Sequence, residues 1–179
     1  MVSERRRLIV DGYNVLHARP EYAALAAEDL DSARARLVAD LAGIAQDGPR
    51  VVVVFDGGDN PASDGQPHQV GRLTVVFSPA GSTADAVVES LAARSRSRGE
   101  EAVVVTSDNA TREAVRAGSI SVLSAGNFLE DLASAAAEWS MARRSGATRV
   151  PMGRRIDPTV QERLARWARG DGSGGMGAR

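Results

Sequence analysis

The sequence contains no cysteine and no lysine, and only two histidines, His17 and His68. Without cysteine there is no disulfide framework, no thiolate nucleophile and no cysteine-based zinc site, and two histidines argue against a histidine-rich metal centre. Any resident metal must therefore sit on oxygen ligands. Long apolar runs are missing too: none approaches the roughly 20 residues of a membrane span. Arg5-Arg6-Arg7 is followed by a short apolar run that Asp11 and Asn14 interrupt at once, which does not fit a secretory signal, so a cytoplasmic location is the default expectation. No G-x-G-x-x-G follows the first apolar run, which removes the phosphate-cradling turn of dinucleotide enzymes. Tyr13 stands two positions after Asp11, where an aspartyl phosphatase would need a second aspartate.

What is present is a chain long enough, at 179 residues, to bury one core of ordinary size. Its net charge of −1 conceals an asymmetry. Residues 1–139 carry 13 arginines against 20 acids, a balance of −7, whereas residues 140–179 carry 9 against 3, a balance of +6. The basic segment is suited to meeting phosphates.

Short β-branched runs alternate with helical stretches: RLIVDG, RVVVVFDGG, RLTVVFS, EAVVVTSDN and, more weakly, SISVLSA. This alternation predicts a mainly parallel sheet covered by helices. DLDSARARLVADLAGIAQDG spaces Leu30, Ala33, Leu37, Leu41 and Ile44 as one helical face, closed by Gly48-Pro49. Ser82 is placed to cap a helix from Thr83 to about Arg98, Ser107 or Asn109 to open TREAVRAG, and a further helix is expected from Asn127 to Arg144. The Gly, Pro, Asp and Ser content of residues 57–69 predicts a loop near the strand tips. From Ser145 onward the chain reads as a connector, SGATRVPMGRR, a short basic helix around Trp167 and a Gly-rich end. The division expected is residues 1–144 as the principal domain and 145–179 as a basic extension.

In an open parallel sheet, ligands bind above the carboxyl ends of the strands, and that is where this sequence concentrates acids. Asp11 follows the first run, Asp56 the second and Asp108 the fourth, while Asp85 lies in the first turn of the helix after the third. Two carboxylates about 4–5 Å apart repel by roughly 3–4 kcal/mol at an effective dielectric of about 20. A divalent cation would relieve this, and hard oxygen ligands suit Mg²⁺ or Mn²⁺. Each acid also has a plain alternative as a turn former or helix cap. Asn14 and Ser107 are secondary candidates for holding a ligand or a phosphate, with capping as the alternative for Asn14. Glu89, one helical turn past Asp85, is within reach of the same place.

LIVDGYNVLHA, VVVVFDGG, FSPAGSTADAVVESLA and VVVTSD, in this order, together with RLARWARGD near the end, resemble the YacP-like branch of the NYN domains in the PIN-like nuclease superfamily. The resemblance implies a three-layer α/β/α sandwich and an Mg²⁺- or Mn²⁺-dependent endoribonuclease acting on messenger RNA in association with the ribosome. By motif, Asp11 of DGYN and Asp85 of TAD are then the essential acids, with Asp108 of TSD as a third catalytic carboxylate and Asp56 of VFD completing the metal site. Asn14, Ser107 and the tail arginines Arg154 and Arg155 are the substrate-binding candidates. The family often has an acid directly after the TAD aspartate, where this chain has Ala86. That departure keeps open a second function, a non-catalytic RNA- or ribosome-binding module on the same fold.

Overall fold

The structure is a computed structural model and describes residues 6–46, 49–58 and 63–132. Six strands, β1 (Arg6–Asp11), β2 (Arg50–Phe55), β3 (Pro67–Val70), β4 (Leu73–Phe77), β5 (Glu101–Val105) and β6 (Ile120–Leu123), form one sheet in the order β3-β4-β2-β1-β5-β6. All pairings are parallel except β3 with β4. Helices α1 (Gly12–Ala18), α2 (Pro20–Glu28) and α3 (Leu30–Ala45) link β1 to β2; α4 (Ala84–Ser97) links β4 to β5 and α5 (Asn109–Val115) links β5 to β6. A further helix occupies 125–132 at the end of the described segment.

Alternation along the strands splits the apolar side chains into two cores. Leu8, Val10, Val53, Phe55, Val75 and Phe77 pack with Tyr22, Leu37, Leu41 and Phe128 on one face. Ile9, Val52, Val54, Val76 and Val104 pack with Val88 and Ala92 of α4 and Val115 of α5 on the other. Three layers result, as expected for this class. From β1 the chain proceeds to β2 and β4 on one side, then returns through α4 to β5 on the other, so the order reverses between β1 and β5. The crevice at such a reversal is where open α/β sheets bind ligands.

Several local expectations are corrected. Residues 67–69, assigned to a loop by composition, belong to β3 (Pro67–Val70), paired antiparallel with β4 through a turn in which Gly71 has φ +62°. As an exposed edge strand, PHQV carries no apolar run to announce it. Helix α4 is capped by Thr83, not Ser82: the Ala86 amide donates to Thr83 Oγ1 at 3.2 Å. Asp108, not Ser107 or Asn109, caps α5. The helix expected from Asn127 begins at 125, and its expected end at Arg144 lies outside the described residues, as do the basic extension and the proposed division at 144/145. Among the described residues no helix is long and apolar enough to cross a membrane.

Gly12 opens α1 directly against β2. A Cβ there would overlap the Phe55 ring and lie 2.9 Å from the Val54 carbonyl oxygen, so the tight β1–α1 junction tolerates only glycine. Gly12→Ala is expected to destabilise the protein by about 1–3 kcal/mol, typical of forced overpacking, measured as a lowered midpoint in urea with an unchanged m-value.

Candidate active site

The pleat that sends Ile9 toward α4 sends Asp11 the same way at the end of β1, and Thr106 continues the same face just past β5. Asp11 is 3% exposed. Its Oδ1 accepts from the Asn14 amide at 3.2 Å, and its Oδ2 accepts from Asn14 Nδ2 and, at 3.4 Å, from Thr106 Oγ1. Asn14 in turn accepts the Ser107 amide on Oδ1 at 3.3 Å, which ties the start of α1 to the end of β5 across the crevice.

Asp85 projects from the first turn of α4 over the same face. Thr111 Oγ1 donates to its Oδ1 at 2.9 Å, while the Thr111 amide donates to Asp108 Oδ1 at 2.7 Å. One buried threonine thus connects the two carboxylates. Asp108 itself is exposed, and its amide donates to Thr106 Oγ1 at 3.1 Å. Asp56 lies past β2, its Oδ1 accepting from Gly58 and its Oδ2 from Ala84, the first residue of α4.

The electrostatics separate these acids. Burial raises the Asp11 pKa against the lowering effect of the two Asn14 hydrogen bonds, and the negative charge of Asp85 raises it further. Among the described residues neither Asp11 nor Asp85 forms an ion pair with an arginine. Asp108 is shifted the other way, held low by the Thr111 amide and hydroxyl. Two like charges facing each other without a counter-charge form a local acceptor for a cation.

The sequence-nominated acids therefore gather at one sheet edge in unequal roles. Asp85 lies close enough to Asp11 for its charge to act on that carboxylate, Asp108 is linked to Asp85 through Thr111, and each oxygen of Asp56 accepts a backbone amide. Among the described residues no three His, Cys, Asp or Glu side chains come close enough together to hold a metal ion. Ser107 uses its hydroxyl to accept the Ala125 amide at 3.2 Å, at the start of the helix over 125–132, and Glu89 is exposed. Arg154 and Arg155 lie outside the described residues. Thr106 and Thr111, both buried, were not nominated from sequence. The one available signal was a hydroxyl at the end of an apolar strand and another in the first turn of the next helix.

A family model described as the YacP-like NYN domain matches residues 8–169. The chain belongs to that family. Among solved structures it is similar to Rae1 (YacP) from Bacillus subtilis, at 28% identity and a TM-score of 0.65 over 92% of this chain and 95% of that one. It is equally similar to a tryptophan-to-leucine variant of that protein, at 26% identity and a TM-score of 0.66 over 92% of this chain and 96% of the other. No curated protein matches the chain. The fold is thus an α/β PIN-like NYN fold of nuclease type, whose members generally use divalent metals. The uncompensated Asp11–Asp85 pair fits such an ion, because Mg²⁺ is commonly held by one or two carboxylates and keeps several waters.

The pKa shifts fix the sign of a stability effect. Asp11 binds its proton more tightly folded than unfolded, so its contribution to stability falls as pH rises from 3.8 through the raised value. Asp108 acts in the opposite sense and in a separate window, losing stability only as pH falls below 3.8. In metal-free buffer, the melting temperature of Asp85→Asn relative to wild type is expected to rise as the pH increases from 3.8 through the raised Asp11 value, because removing the second charge relieves Asp11. Parallel melting curves over that range would show that the two carboxylates do not interact.

Proposed function

We propose that the protein is a divalent-metal-dependent endoribonuclease that hydrolyses RNA phosphodiester bonds, with messenger RNA in a ribosome-associated setting as its substrate. The observation that carries this reading is the approach of Asp11 and Asp85, from the end of β1 and the first turn of α4, at the crevice where the sheet order reverses. Membership of the YacP-like NYN family supports it.

In this reading Asp11 and Asp85 hold a cation, either Mg²⁺ or Mn²⁺, with Asp108 beside them. When bound, the ion lowers the pKa of a coordinated water and neutralises charge developing on the phosphate. The residues of the chain do the positioning. Asn14 fixes the Asp11 carboxylate through two hydrogen bonds and anchors itself on the Ser107 amide. Thr111 sets the separation of Asp85 and Asp108. The low pKa of Asp108 keeps it ionised, which makes it a standing charge for cation capture and a weak proton acceptor. Arg154 and Arg155, with the basic segment they belong to, supply phosphate contacts.

A second reading has its own observation. The absence of a trio of metal-ligating side chains among the described residues favours a module that docks RNA or a ribosome without cutting. Incubation of the full chain with RNA, both free and on translating ribosomes, separates the two. With Mg²⁺ or Mn²⁺ the wild type is expected to cleave, EDTA to abolish cleavage, and Asp11→Asn and Asp85→Asn to lower the rate more than about a hundredfold while RNA retention on filters persists. Cleavage by Asp11→Asn at the wild-type rate would defeat the assignment, and RNA binding without cleavage under every metal condition would establish the module.

A further inference from the structure

The end of β2 and the start of α4 are joined by a single carboxylate across 28 residues of sequence. Asp56 Oδ1 accepts from the Gly58 amide at 2.6 Å, and Oδ2 accepts from the Ala84 amide at 3.3 Å. Ala84 directly precedes Asp85. The surroundings of Asp56 are braced on both sides. Ser78 Oγ accepts the Gly57 amide at 2.9 Å, the Ser78 amide donates to the Phe55 carbonyl at 2.9 Å, and Ser63 Oγ donates to the Ser78 carbonyl at 2.7 Å. Both serines are buried, so these bonds are shielded from exchange with water. Gly57 has no room for a Cβ, which would overlap the Ser78 carbonyl oxygen and lie 2.6 Å from Ser63 Oγ. On the opposite side of the strand, the Tyr13 hydroxyl donates to the Asp56 carbonyl at 3.5 Å and accepts from Arg34 Nε at 3.0 Å.

We infer that Asp56 is a positioning residue: its carboxylate clamps the first turn of α4 to the tip of β2 and thereby sets Asp85 against Asp11. Each Asp56 oxygen accepts one backbone amide, from Gly58 just past β2 and from Ala84 at the start of α4, which fixes how the carboxylate is orientated. Its negative charge also favours the N-terminus of the helix it holds. The catalytic consequence rests on the nuclease reading above, whereas the clamp itself does not.

The test is a double-mutant cycle on the full chain. Asp56→Ala removes the acceptor. Ala84→Pro removes the donor while leaving the Asp56 carboxylate in place, at a first helical position where proline is tolerated and after Thr83, whose extended φ −103° and ψ 159° suit a following proline. Positioning predicts that each variant loses about 10–100-fold in kcat and in Mn²⁺ affinity by calorimetry, with the KM for RNA little changed, and that the double variant is no worse than either single one. Normal kcat and Mn²⁺ affinity in Ala84→Pro beside a loss in Asp56→Ala would overturn the inference and make Asp56 a direct participant. So would strictly additive losses. Amide hydrogen exchange gives a readout free of activity: the Ala84 amide is expected to be protected in wild type and to exchange at least about tenfold faster in Asp56→Ala, while interior amides of α4 keep their protection. Equal exchange in both proteins would show that no clamp exists. If the wild type cuts no RNA, the nuclease reading fails alone, and the exchange and Mn²⁺ measurements still decide the clamp.

Discussion

Two aspartates that repel each other, Asp11 buried at the end of β1 and Asp85 in the first turn of α4, are the interaction on which the site depends. The protein keeps them together without an arginine between them among the described residues, and it spends a good deal of hydrogen bonding to do so. Asn14 and Thr106 stabilise the Asp11 carboxylate against its burial, and Thr111 restrains Asp85. An arrangement of this kind is poorly suited to a merely structural role, since a neutral pair would fill the same space at lower cost. It is suited to a cation.

The scaffold makes this possible through pleat and crossover. Strand alternation places Asp11 and Thr106 on the face covered by α4, and the return of the chain from β4 to β5 carries α4 across β2 and β1. The same return path brings the first turn of α4 to the crevice between β1 and β5. Gly12 lets α1 begin hard against β2, so that Asn14 reaches back to Asp11 and across to Ser107. Packing on both faces of the sheet thus fixes the geometry of side chains that interact unfavourably with each other.

Much of this was legible in the residues. The apolar runs of β1, β2, β4 and β5 are largely buried parallel strands, which read as continuous β-branched stretches, and the acids at or after the ends of β1, β2 and β5 mark their tips. The family resemblance carried by DGYN, VFDGG, STAD and VTSD agrees with the match over residues 8–169. Less was legible where the signal is weak or shared. Edge strand β3 has a polar sequence, and α2 follows α1 with only Arg19 between the two helices. Serine and threonine caps adjacent in sequence, such as Ser82 and Thr83, differ only in which one has the backbone angles to accept the third amide of the helix.

By itself, the sequence determined the order of the parallel strands and of helices α3, α4 and α5, the placement of acids after strands, and the exclusion of thiol and nitrogen-rich metal chemistry, because each of these follows from local pattern or composition. Tertiary structure alone decided which acids face one another. Asp11 and Asp108 both cap short helices, yet Asp11 is buried beside Thr106 and Asp108 is exposed, while Asp56 is engaged by amides on either side of a crossover. Thr106 and Asp11 are 95 residues apart, and Thr111 and Asp85 are 26 apart. No local rule links such pairs; they meet because a twisted sheet and its covering helices close in one way.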